Sequence, residues 1–163
     1  MLALAELTGR FAAHSIWCTS DPNPFVPIVA HEKAGKRGLI RLQAATLEEA
    51  LAEGKHWLAT NPLGVERAVL VYDGYLTLPD RPRTDALVLD AVEYADRPIR
   101  MRLGIRYLPG GTALGFKAGS PKVLENEGVS EVDWDPFFAR FWIGVKSHPE
   151  AAEVWAKHLA DGL

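Results

Sequence analysis

The sequence predicts an α+β fold: an antiparallel β-meander sheet of about five strands, with N- and C-terminal helices packed on one face. Three observations lead there. Residues 66–118 carry runs of valine, leucine and tyrosine broken by short proline and glycine turns, the pattern of successive strands. Links as short as PDRPR, ADRP and LPGG demand antiparallel neighbours, because a parallel pairing needs a crossover of about a dozen residues or more. Both ends of the chain space their apolar residues helically instead of alternating them. At 163 residues the chain has the size of one ordinary domain, so residues 1–163 are expected to share one core.

The elements follow in order. Leu4, Leu7, Phe11 and Ala12 or Ser15 recur at helical spacing in LALAELTGRFAAHSIW, which predicts an amphipathic helix lying on the core. Helix must end in DPNPFVP, residues 21–27, because each proline lacks a donor and restricts the residue before it. A loop is expected from there to about Lys36. GLIRLQA, residues 38–44, alternates Ile40 and Leu42 with Arg41 and Gln43, which reads as a half-buried strand at a sheet edge. Thr46 and Glu49 then stand at capping-box spacing ahead of a helix with Leu47, Leu51, Gly54 and Leu58 near one face, stopping at Asn61-Pro62. Four meander strands come next: RAVLVYDGYLTL, TDALVLDAVEY, IRMRLGIRY and TALGFKA. Two helices close the chain. One opens at Asp135 with Pro136 behind it; the other has Ser147 and Glu150 at capping-box spacing and Gly162 after its last turn.

Asp73-Gly74 admits two readings. As a two-residue hairpin turn it would set Tyr72 against Tyr75; as part of one long strand it would place Asp73 and Tyr75 on a common face. The neighbouring strands are long and want a long partner, so a continuous strand with a bend or bulge at Gly74 is favoured.

Composition narrows the function classes. A formal charge of −3 gives no long-range attraction for polyanions, which argues against nucleic acid. No apolar run approaches the roughly 18 residues of a membrane span. The single cysteine, Cys18, forms no intrachain disulfide and suits a reducing compartment, so a cytoplasmic location is expected. Glu6 inside the first apolar stretch, with no basic residues ahead of it, is unlike a signal peptide.

Motifs that would name a chemistry are missing. Gly110, Gly111 and Gly115 match neither phosphate-loop spacing and read as a hairpin loop, and no G-x-S-x-G elbow occurs. His14 and Cys18 lie four apart, close enough on a helix to share a metal ion, but no further ligands are grouped with them, so neither metal nor cofactor is expected. A nucleophilic cysteine needs a lowered pKa and a base, for which His14 or His31 are the candidates. The simpler reading of Cys18 is a small buried thiol beside a helix-end histidine.

The strongest polar pattern is RMRLGIRY. Arg100, Arg102, Gly104 and Arg106 project from one face of a strand, where planar guanidinium forks are suited to a carboxylate or phosphate. Lys117 and Lys122 would approach this face from the next strand, and Asp90 or Glu93 from the previous one. Alternatively these charges pair across strands on a wet face, each pair contributing about 0.2–1 kcal/mol. Asp73, Tyr72 and Tyr75, at the bend expected in the neighbouring strand, are the second candidates, although turn or bulge chemistry alone would also explain them. WDPFFARFW gathers Phe137, Phe138, Phe141 and Trp142 too densely for one narrow stripe, which suggests a homodimer or partner-protein surface beside a core role.

The leading expectation is therefore a non-enzymatic domain that binds a partner protein or a small anionic ligand through Arg100, Arg102, Arg106, Asp73, Tyr75 and Lys117. The alternative is a small hydrolase or isomerase built around Asp73 and the same arginine face. An enzyme would bring a carboxylate or histidine together with an arginine in a concave pocket with a perturbed ionisation. A binding module would present a flat or apolar surface.

Overall fold

The computed structural model describes residues 1–21, 23–78, 81–160 and 162–163, without the side chains of Leu78, Arg81 and Pro82. It has the α+β architecture, with a larger sheet than expected. In chain order the elements are α1 (Leu2–Ser20), β1 (Ile28–Lys33), β2 (Lys36–Arg41), α2 (Leu47–Thr60), β3 (Arg67–Leu78), β4 (Arg81–Glu93), β5 (Ile99–Leu108), β6 (Lys117–Ala118), β7 (Lys122–Glu127), α3 (Trp134–Lys146) and α4 (Pro149–His158). All strand pairs are antiparallel. The sheet runs β2-β1-β3-β4-β5, and β5 then pairs with both β6 and β7. Among the described residues no helix is long and apolar enough to cross a membrane.

Several expectations need correction. The loop expected up to Lys36 is a hairpin: Lys33 pairs with Lys36 around Ala34 and Gly35, whose φ values of 49° and 72° are those of a tight two-residue turn matched to strand twist. Ile28, Val29 and Ala30 are buried in β1, a short apolar run that the preceding prolines mask in the sequence. TALGFKA shrinks to the two residues of β6, because Thr112 to Gly115 close a turn with Gly115 at φ 66°. KVLENE, to which the sequence reading assigns no element beyond placing Lys122 near the arginine face, forms β7.

β3 is one continuous strand through Asp73-Gly74, as favoured, but Gly74 pairs regularly with Ala86 and the irregularity lies between Leu76 and Leu78. Pro79 and Asp80 of the expected PDRPR link lie outside the described residues.

The helix ends obey local chemistry with one exception. Thr46 caps α2 in a full capping box with Glu49, and Asn61 closes it in the left-handed region at φ 44°. Its buried side is Ala50, Gly54 and Leu58, while Leu47 is 50 % exposed. Asp133, one turn ahead of Pro136, caps α3 by accepting from the Asp135 amide. The capping box expected at Ser147 is absent. Ser147 closes α3, its hydroxyl donating to the Gly144 carbonyl at 2.6 Å, which leaves His148 as N-cap of α4 ahead of Pro149.

α1, α3 and α4 pack on one face of the sheet. Leu4, Leu7, Phe11 and Ile16 of α1 meet Val69, Val71, Leu87, Leu89, Leu103 and Ile105 from the strands, all buried. Each such side chain contributes about 1.5–3 kcal/mol by leaving water. Phe137 and Phe141 belong to this core at 0 % exposure, so neither forms part of an open partner surface; Phe138 and Trp142 are half-buried against it. Trp155 closes the cluster against Phe141 and Trp142.

The other face is not wholly wet. α2 covers its β1–β3 side, burying Val29, Leu42, Leu58, Ala68, Leu70 and Val92 in a second, smaller core. α2 lies there because its link to β3 is short and its apolar stripe matches the even-numbered residues of that strand.

Candidate functional site

α1 runs unbroken to Ser20 and stops where Asp21, the residue before a proline, turns extended (φ −79°, ψ 142°). Its last turns therefore overhang the sheet edge, and the chain doubles back beneath them through Pro24, Phe25 and Val26 into β1. A cleft of about 630 Å³ opens between the two. His14, Trp17 and Cys18 form one wall, Phe25, Val26 and Ile28 another, and Arg41 at the end of β2 completes it.

The polar groups of this cleft are unequal in engagement. Among the described residues Arg41 has no hydrogen bond or ion pair, although its positive field reaches both His14 and Cys18. Asp21, at the rim, accepts from Asn23 Nδ2 at 2.9 Å. Burial holds the His14 imidazole below the usual histidine range, and His148, Arg41 and Arg10 push it the same way, so His14 is neutral at physiological pH. Burial raises the Cys18 thiol; Arg41 pulls it down and Asp21 pushes it up again.

Behind the wall the contacts continue. Cys18 Sγ lies 3.6 Å from His14 Nε2, His14 Nδ1 lies 3.3 Å from His148 Nε2, and His148 Nδ1 lies 3.4 Å from Glu150 Oε2. Trp17 meets both imidazoles edge-on, at centroid distances of 6.1 and 5.5 Å. His148 reaches this place because the short α3–α4 junction is pinned to α1: the Arg10 guanidinium donates to the Ser147 carbonyl and to its hydroxyl at 3.0 Å. Among the described residues no three His, Cys, Asp or Glu side chains are grouped to hold a metal ion.

The residues singled out from sequence are not gathered in one place. Arg100, Arg102 and Arg106 do share a face of β5, and two of them meet carboxylates. Arg102 Nε donates to Asp90 at 2.6 Å and its Nη1 to Glu125 at 3.0 Å, while Arg100 stands 4.0 Å from Glu127. A second cleft, about 570 Å³, lies between α2 and these strands, but its lining charges alternate in sign: Lys55, Asp90, Arg100, Arg102, Glu125 and Glu127. Arg106 is 7 % exposed and donates to Thr84 Oγ1. Gly104 between them leaves room for the Leu76 side chain.

Asp73 lies on the opposite, helix-covered face, where Tyr107 donates to it at 2.8 Å; burial raises its carboxyl above the ordinary range. Tyr75 is 58 % exposed with the Arg83 guanidinium 3.8 Å above its ring, and Lys117 sits on β6 beyond the other arginines. The residues that sequence reasoning did not bring together are Arg41, His148 and Glu150. The four-residue spacing of His14 and Cys18 was the one local signal; the others arrive from β2 and the α3–α4 junction.

Comparison of the chain with protein-family models, with curated proteins and with solved structures finds no match.

Proposed function

We propose that this protein binds a small molecule with an apolar body and a carboxylate in the cleft between α1 and residues 23–28. One observation carries the reading: Arg41 presents a guanidinium without a protein partner, among the described residues, to a cleft walled by Trp17, Phe25, Val26 and Ile28. An arginine fork pairs with a carboxylate through two parallel hydrogen bonds, and a concavity of several hundred Å³ that sets apolar rings beside polar groups suits a small amphipathic ligand. Arg100 and Arg102 of β5 are weaker candidates, since Asp90, Glu125 and Glu127 already compete for them, and Arg106 is buried beside Thr84, away from an open cleft. A homodimer through α3 would rest on the half-buried rings of Trp134, Phe138 and Trp142 and on the exposed Ile143, with no charged group among them to set a register.

The test is a thermal-shift series with carboxylates of growing apolar body, such as butyrate, hexanoate and phenylacetate, beside their neutral amides. The acids raise the melting temperature increasingly with size and the amides do not. Arg41→Gln weakens the acids at least about tenfold, roughly 1.4 kcal/mol, while Arg102→Gln leaves the ligand response in place. Equal responses of wild type and Arg41→Gln would refute the reading.

A further inference from the structure

The line from Cys18 to Glu150 has a direction. For the thiol to donate to His14 Nε2, the proton of His14 must sit on Nδ1, where it faces His148 Nε2 at 3.3 Å. His148 must then carry its own proton on Nδ1, facing Glu150 Oε2 at 3.4 Å. The first two donors meet an acceptor in that arrangement, and the third faces the Glu150 carboxylate at ion-pair distance. Shifting one proton across each of the first two links produces a second arrangement with the same property. Cys18 is then a thiolate accepting from His14 Nε2–H, His14 Nδ1 accepts from His148 Nε2–H, and His148 is an imidazolium against the Glu150 carboxylate. His14 is neutral in both states, which agrees with the burial and positive neighbours that disfavour its charged form. The charge separates over the full length of the line. Arg41 on β2 favours the thiolate, whereas burial, the largest influence on the thiol, and Asp21 after α1 oppose it; Arg10 on α1 disfavours positive charge at His14, and the Glu150 carboxylate on α4 stands 3.4 Å from His148 Nδ1.

We propose that Cys18 is a nucleophile toward acyl groups, with His14 as its general base and His148 and Glu150 as positioning residues that hold the displaced proton. The substrate class rests on the carboxylate reading above: an ester or thioester of an acid that bears a second, free carboxylate for Arg41. The steps balance. The Cys18 Sγ–C bond forms as the thiol proton passes to His14 Nε2; the carbonyl carbon then loses its alkoxide or thiolate, which leaves with that proton. Water next attacks the thioester, giving a proton to His14, and the S–C bond breaks as Cys18 regains it. Ester and water become acid and alcohol, with no change of oxidation state.

The experiment uses the full chain and two probes, mono-4-nitrophenyl glutarate, which keeps a free carboxylate, and 4-nitrophenyl butyrate, which does not. Wild type releases a burst of 4-nitrophenol with one acyl group on Cys18 by intact mass and peptide mapping, and Cys18→Ala forms no adduct at that residue. His14→Gln slows acylation about 100-fold, within the range of a general base. His148→Gln moves the pH profile of Cys18 alkylation by iodoacetamide upward by about a unit or more while the plateau rate at high pH is kept; a purely structural role would lower the rate at every pH. Glu150→Gln, at an exposed position, gives the same direction of shift should His148→Gln melt below the assay temperature.

An absence of acylation at Cys18 by either ester, or superimposable pH profiles for wild type, His148→Gln and Glu150→Gln, overturns the proposal. Acylation by both esters at equal rates, unaffected by Arg41→Gln, overturns the substrate class and the carboxylate reading and leaves the thiol chemistry standing.

Discussion

Asp73 shows how one side chain's meaning depends on what covers it. In the sequence it is a carboxylate beside a glycine in a strand, equally suited to a turn or a site. In the fold it is half-buried beneath the helices with the Tyr107 hydroxyl donating to it, and burial raises its pKa above 3.8. A raised folded-state pKa means that the folded protein binds the proton more tightly than the unfolded chain. Ionised Asp73 therefore detracts from stability at neutral pH, and stability recovers as the pH falls through the raised value toward 3.8. Asp73→Asn keeps an acceptor for Tyr107 and removes the charge. Its melting temperature should exceed that of wild type at pH 7, with the gap closing toward pH 4; a variant less stable at pH 7 with an unchanged pH dependence would contradict this account. Arg102 is the converse case, since the register Asp90↔Arg102↔Glu125 satisfies a guanidinium that looked available in the sequence.

At the level of elements, local chemistry was readable wherever it needed only neighbours in sequence. The Thr46 and Glu49 box forms as spaced, and Thr46→Ala should cost about 1 kcal/mol by freeing the Glu49 amide. A urea midpoint lowered at constant slope checks it, and an unchanged midpoint would mean that α2 is held by its packing alone. Ser147 and Glu150 have the same spacing and make no box. There the residue must also end α3, and its bonds go to Gly144 and Arg10. One spacing thus has two outcomes, decided by whether another helix stops at the same residue. The β1–β2 hairpin went unread for a related reason: Ala34-Gly35 is a weaker turn signal than the prolines just upstream, and β1 is only six residues long.

For the molecule as a whole, the contact between α1 and α3 joins fold to site. Gly9 and Gly144 let the two backbones touch: a methyl on Gly9 would overlap the Phe141 carbonyl, and one on Gly144 the Glu6 carbonyl. Backbone has no rotamer by which to yield, so Gly9→Ala should cost roughly 3 kcal/mol, the upper end for overpacking. Chemical denaturation measures that loss, and a cost under about 0.5 kcal/mol, the usual range of surface changes, would show that the helices slide apart freely. Separating α1 from α3 also draws His14 away from His148, so the pH profile of Cys18 alkylation should move upward in the same variant, as it does in His148→Gln.

Alternation, capping spacing and proline placement were enough to specify an antiparallel sheet, the course of α1 and α2, and a continuous β3, because each of these depends on residues within a few positions of one another. Which guanidinium is left without a carboxylate, and which histidine stands behind His14, depends on strand register and on the crossing of α1 with α3. Those placements join residues separated by 23 positions for Arg41 and Cys18, which line one cleft, and by 134 for the histidine pair, which is in contact. No periodicity within a segment records them, since they arise only when the packed faces bring distant segments together.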